Sequence, residues 1–228
     1  MSKYEILYDG AFPIVKYRLD MREKLKAESD AMIAMSATID VEGKLEGGFL
    51  SGIARKLAGE SFFFQHLTAN RGPGEVLFGH AMPGGIIDVV MDGSYEMKVQ
   101  KNGFLAATEG IEVDTKVQSL GKGLFSGEGF FILNISGRGV VFLGSYGAIH
   151  PISLEAGEQI IIDNGHLVAW TGDMDYNIEK SSNGWISSLT SGEALVCRFT
   201  GPGIILIQTR NPGGFVGWCR RLGLGVKG

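Results

Sequence analysis

Three glutamates, Glu60, Glu128 and Glu193, each follow a glycine and are spaced 68 and 65 residues apart. Gathered around one axis, three carboxylates could hold a hard cation through oxygen ligands. Taken singly, each would accept hydrogen bonds from the backbone of its own turn or from an arginine. The sequence leaves both readings open. A second recurring set is His66, Asn134 and Arg198, one polar side chain inside an apolar run at the matching place in each segment. These positions either face solvent or line a contact between segments.

Enzyme chemistry finds little support. A cupin-type metal site needs a His-x-His pair with a glutamate soon after. Ile149-His-Pro-Ile-Ser-Leu-Glu-Ala-Gly-Glu158 has the look of such a strand but lacks the pair. His150 and His166 stand sixteen residues apart and could meet across a hairpin, yet two histidines alone hold a catalytic metal poorly. Ser51 and Ser126 fall one residue late for a nucleophile elbow. Gly121-Lys122-Gly123 lacks the Ser/Thr and upstream glycine of a phosphate loop, and it misspaces the dinucleotide fingerprint. Cys197 and Cys219 form no CxxC pair, so two reduced thiols are expected. The expectation is a non-enzyme with no cofactor and no metal.

Bulk properties narrow the setting. The net charge of −4 argues against non-specific nucleic-acid binding, and the recurring segments share no cations beside stacking surfaces. No apolar run approaches the ~18–20 residues that span a bilayer. The first ten residues lack the pattern of a signal peptide, so a cytoplasmic protein is expected. The basic tail Trp218-Cys-Arg-Arg-Leu-Gly-Leu-Gly-Val-Lys227 could touch an anionic lipid or RNA. The simpler expectation is a tail that packs Trp218 and leaves its charges in water.

The elements that would position these residues recur. Gly-Glu pairs open apolar runs at 59, 127 and 192, and Gly-x-Gly turns follow at 72, 137 and 201, after 65 and 64 residues. So close a period marks a repeated structural unit. Upstream, Ser29-Asp30, Asn102-Gly103 and Asn164-Gly165 read as tight hairpin turns. The runs before them, 23–28 and 95–100, alternate polar and apolar residues, whereas 158–163 reads as buried on both faces. Pro83-Gly84-Gly85, Gly144-Ser-Tyr-Gly147 and Pro212-Gly213-Gly214 close the units. The chain therefore reads as all-β, one compact body of three sandwich-like repeats, 10–83, 84–147 and 148–214, with a short C-terminal tail. A pseudo-threefold arrangement is expected. Phe49, Ile53 and Leu57 recur every four residues and predict one short helix near 48–58.

Three motifs together carry a family resemblance over nearly the whole chain. They are Gly47-Gly-Phe-Leu-Ser-Gly-Ile-Ala-Arg-Lys-Leu-Ala-Gly-Glu60, Gly123-Leu-Phe-Ser-Gly-Glu-Gly129, and Gly147-Ala-Ile-His-Pro-Ile-Ser-Leu154 with Asp163-Asn-Gly-His-Leu-Val-Ala169. The chain resembles the altered-inheritance-of-mitochondria family, whose bacterial and archaeal members were catalogued as a domain of unknown function. The resemblance implies a fold similar to the tryptophan RNA-binding attenuator protein, a short variant of the double-stranded β-helix, and homo-oligomerisation. Mitochondrial members are associated with inner-membrane organisation, a role not carried over because no transit-like leader is seen. The resemblance supplies no catalytic residues. The resulting expectation is a non-enzymatic oligomeric β scaffold, a trimer by preference, that binds an unknown protein partner or a membrane surface. A small-ligand or metal-binding, cupin-like module and an RNA-binding protein are the alternatives.

Overall fold

The computed structural model describes residues 2–45, 63–117, 131–180 and 195–224, so the predicted helix at 48–58 lies outside the described residues. The described chain is mostly β. The first segment holds β1 (Tyr4–Leu7), β2 (Ile14–Leu19), β3 (Lys24–Glu28), β4 (Met32–Met35), β5 (Asp40–Leu45), β6 (Phe63–Thr68) and β7 (Gly74–Gly79). The second holds β8 (Ile86–Asp92), β9 (Met97–Gln100), β10 (Phe104–Thr108), β11 (Ile111–Val117) and the long β12 (Phe131–Gly144). The third holds β13 (Ile149–Leu154), β14 (Gln159–Asp163), β15 (Leu167–Thr171), β16 (Asp175–Lys180), β17 (Leu195–Thr200) and β18 (Gly203–Gln208).

All the strand pairs are antiparallel, and their order is alike in each segment. β7 runs between β2 and β4, while β6 runs between β3 and β5. In the second segment β12 serves both purposes, its C-terminal half between β8 and β10 and its N-terminal half between β9 and β11. β18 lies between β13 and β15, and β17 between β14 and β16. A register shift of the same kind falls between Met32 and Ala34, Phe104 and Ala106, and Leu167 and Ala169. Such a bulge bends a strand and re-aims its side chains.

Two local expectations are overturned. The tight turns at Asn102-Gly103 and Asn164-Gly165 do not close hairpins, because β9 does not pair with β10 nor β14 with β15. A two-residue hairpin turn needs positive φ, which neither Gly103 nor Gly165 adopts. A 3-10 turn at each place, Lys101–Gly103 and Asn164–His166, carries the chain from one sheet to the other instead. The Gly-x-Gly motifs are likewise passages between sheets and not turns between partners. At the second, β12 continues through Gly137 (φ +101°) and Gly139 (φ +153°). A side chain on Gly137 would run into the Gly110 carbonyl, so glycine is required there.

The core is shared between neighbouring segments. One apolar cluster joins Leu25, Leu67 and Phe78 of the first segment to Leu105 and Phe142 of the second. Another joins Val99, Leu133 and Leu143 to Val168 and Leu206 of the third. The last, around Trp170, Phe199 and Ile205, reaches back to Ile132. Phe78 and Phe142 meet edge to face at 5.3 Å, a favoured geometry for aromatic rings. Each fully buried side chain of this size contributes roughly 1.5–3 kcal/mol through removal from water.

One further expectation changes and another is extended. β14 was expected to be buried on both faces, yet Ile161 is 51% exposed while Ile162 is buried. Its outer face is uncovered among the described residues. Pro212-Gly213-Gly214, expected to end the third segment, follows its last strand and also opens a helix, α1 (Pro212–Arg221). Asn211 caps it by accepting hydrogen bonds from the Gly213 and Gly214 amides at 2.9 and 3.4 Å. Proline at the first helical position lacks only an N–H that would have been unpaired anyway.

Candidate functional site

Glu60, Glu128 and Glu193 all lie outside the described residues. The other recurring set is in view. His66, Asn134 and Arg198 stand on the middle strands β6, β12 and β17, each half-buried; Asn134 and Arg198 lie between buried neighbours, and His66 between half-buried Gln65 and buried Leu67. His66 lies between Lys26 and Glu42, Asn134 between Lys98 and Asp114, and Arg198 between Ile161 and Asn177. They share a position but are not gathered into one site. Arg198 grips Glu179 with two hydrogen bonds, of 3.1 and 3.4 Å. That contact holds the Glu179 carboxyl below its ordinary value and the guanidinium above its own. Beside His66 a cleft of about 370 Å³ carries Lys24, Lys26, Glu42, Asn70 and Glu109. Its two cations are matched by two carboxylates, so it selects neither sign of ligand.

The remaining polar candidates are occupied locally. His166 places Nδ1 2.8 Å from the Gln208 carbonyl, and His80 places Nε2 2.9 Å from that of Asn102. His150 and His166 do not meet across a hairpin, because β18 runs between β13 and β15. No group of three metal-ligating side chains is found among the described residues. Cys197 is fully buried, and burial pushes its thiol up to about 12. Such a thiol is protonated and inert at neutral pH.

A different feature dominates the geometry. Each segment is joined to the next by one pair of strands. β3 of the first pairs with β10 of the second, setting Ala27, Lys26 and Leu25 opposite Ala106, Ala107 and Thr108. β9 of the second pairs with β15 of the third in matching register, Val99, Lys98 and Met97 opposite Ala169, Trp170 and Thr171. The strands in corresponding places at the two ends of the series are β14 and β4. Both are edge strands among the described residues. Carrying the register across sets Ile162, Ile161 and Ile160 against Ala34, Met35 and Ser36. Ile161 is 51% exposed, Ile33 57% and Met35 37%, whereas Leu105 and Val168, in the place of Ile33, are buried.

The sequence carried a signal for this surface. Three consecutive isoleucines in β14 suit a strand covered on both faces, and no polar residue marks one face as wet. The second surface it missed is α1. Phe215 packs on Tyr146 at 5.8 Å and stacks on Trp218 at 5.9 Å, yet no residue of the helix is buried. Phe215, Val216, Trp218, Leu222 and Leu224 remain 45–67% exposed, with Arg220 and Arg221 in the last turn. The expectation that the tail packs Trp218 away is therefore wrong. Spacing of 215, 218 and 222 was the helical signal, and the two glycines masked it. No helix of the described residues is long and apolar enough to cross a membrane.

Comparison with known proteins places this architecture. The family profile described as mitochondrial biogenesis AIM24 matches residues 4–210. An uncharacterized protein of Streptococcus pyogenes serotype M6 is 31% identical over 218 residues, covering 92% of this chain and 86% of that one. The crystal structure of protein SPYM3_0169 from Streptococcus pyogenes, a structural genomics target, superposes with a TM-score of 0.80. The two share 30% identity over 96% of this chain and 98% of that one.

Proposed function

The chain belongs to the mitochondrial biogenesis AIM24 family, and from that premise we propose that it is a non-enzymatic oligomeric β scaffold. It is built of three copies of one module in an attenuator-protein-like arrangement. Copies link head to tail, β14 of one against β4 of the next, repeating between chains the joint made twice within each. The open pair of edges carries this reading. A contact between two different surfaces of one protein yields a ring when its rotation closes. A trimer is the expected count.

Light scattering of the purified chain tests the reading. The expected mass is a multiple of the single chain, falling to the single-chain value in Ile161→Lys, which places a charge against Met35. A wild-type protein that stays a single chain at high concentration would sink it. A second reading, contact with an anionic membrane surface, is favoured by α1, whose apolar side chains and paired arginines suit an interfacial helix. One such short helix binds weakly, but a ring presents every copy on the same side and multiplies the effect. Flotation with phosphatidylglycerol vesicles should carry the protein up, and Trp218→Ala or neutral vesicles should not. Equal recovery with neutral vesicles would remove this reading.

A further inference from the structure

Within the chain, each joint has a second part besides its strand pair. On leaving its last strand, the chain passes over the end of the next segment and the turn beside it. His80 follows β7, packs over Gly144 at the end of β12, and reaches the Asn102 carbonyl in the turn before β10. Tyr146 follows β12 and donates its amide to the Gln208 side chain at the end of β18, 2.8 Å away. That same side chain donates to the Gly165 carbonyl in the turn before β15, at 2.9 Å. The two crossings use the same seat, the last residue of a strand together with the neighbouring turn.

In the first segment that seat is Gly79 and Asp30. A groove of about 270 Å³ lies there, lined by Phe12, Pro13, Asp30, Ile33, Gly79 and Met82 among others. Every lining residue belongs to the first segment or its own exit. The N-terminal strand β1 does not fill the groove, because it turns back past Tyr8–Gly10 to pair with β2. Phe12 is left 73% exposed. The segment in the place of His80 and Tyr146 is Thr209–Arg210, which leaves β18 and is exposed. The Arg210 guanidinium donates to the neighbouring Thr209 carbonyl, at 3.1 Å, while its amide donates to the Tyr146 carbonyl. Among the described residues, neither Arg210 nor Asp30 has an ion-pair partner. Residues 194–228 carry five basic and no acidic side chains, a charge of +5 against −9 for the rest of the chain.

We propose that this groove receives the Thr209–Asn211 segment of the preceding copy, whose Arg210 pairs with Asp30. The proposal rests on the head-to-tail reading and deepens it. The strand joint supplies apolar burial, and the exit segment supplies the charge that fixes which end meets which. Opposite charges at an interface act mainly through choice of partner and register.

A charge swap tests it, read by light scattering over a dilution series of the full chain. Asp30→Arg and Arg210→Glu should each weaken assembly about tenfold or more, while circular dichroism stays unchanged because both residues are exposed. Combining the two reverses the pair and should restore assembly to within about threefold of wild type. If both single variants assemble as wild type while Ile161→Lys falls apart, the groove contact is wrong and the strand joint stands. If the double variant is as weak as the sum of the singles, the two residues do not meet. A wild-type protein that never assembles overturns both readings together.

Discussion

The joint between the first and second segments and the pair of edges at the chain's ends use the same strands in different company. At the closed joints the residues facing the join are Lys26 and Lys98. Their ammonium groups lie 5.7 Å from the Phe64 ring and 4.9 Å from the Tyr176 ring, so the stems cover aromatic surface while the charge stays near water. At the open edge the corresponding residue is Ile161. Proteins guard a free edge with charge, lysine above all, because an unpaired apolar edge recruits other chains. Here lysine sits where the edge is already paired, and isoleucine where it is not. That inversion is the feature the proposed contact between copies would use.

The largest effect should come from matched truncations at one equivalent position. Leu105, fully buried at the closed joint, corresponds to exposed Ile33 at the open edge. Leu105→Ala should lower chain stability by about 2–5 kcal/mol, through lost burial plus the cavity left behind. Ile33→Ala should change the stability of the dissociated chain by less than about 0.5 kcal/mol. It should instead lower the melting temperature only at concentrations where copies associate. Urea melts at two protein concentrations separate these outcomes. A concentration-independent loss in Ile33→Ala would mean the edge is already buried within one chain.

How much of this was legible depended on whether the signal was local. Alternation in Lys24-Leu-Lys-Ala-Glu28 and the apolar runs around Phe64 and Leu133 gave the strands, and these are strands. The partners were not legible. Asn102-Gly103 has the composition of a hairpin turn, but its backbone obeys the crossing from sheet to sheet, a tertiary requirement no dipeptide records. β14 was misread for the opposite reason: its sequence describes burial on both faces, which the described residues do not supply. Recurrence singled out His66, Asn134 and Arg198, and they do share a strand position. Position alone did not gather them, since each stands on a separate strand; His66 and Asn134 share a lysine and a carboxylate as cross-strand neighbours, whereas Arg198 lies between Ile161 and Asn177.

The first joint should also respond to alkali in a way the open edge does not. Tyr4 and Tyr17 pack edge to face on Phe142, at 5.0 and 6.3 Å, across that joint. Burial first, then the Asp88 and Glu23 carboxylates, push both phenols up to about 12. An unfolded tyrosine ionises near pH 10, so their contribution is intact below that and drains away as pH rises toward 12. For the more buried Tyr17 the loss should be about 1–2 kcal/mol, and for the partly exposed Tyr4 less. Denaturant midpoints between pH 9 and 12 should fall in wild type and fall less in Tyr17→Phe. An equal fall in both would assign the alkaline sensitivity elsewhere.

The smallest effect is expected at Arg198, and it decides what the recurring polar row is for. Its guanidinium and the Glu179 carboxylate are each more than a third exposed, and pairs of that kind contribute little to stability. Arg198→Met should therefore leave the melting curve unmoved. It should raise the Glu179 ionisation toward an ordinary carboxylate, readable by side-chain NMR titration, because the arginine is what holds it down. Light scattering should show no change in assembly, since Arg198 faces away from the buried Cys197 and Phe199 and lies on a middle strand, not on the joining edge. If Arg198→Met does dissociate the protein, the contact between copies extends from the edge strand onto the sheet face. The matching positions His66 and Asn134 would then be the next to substitute.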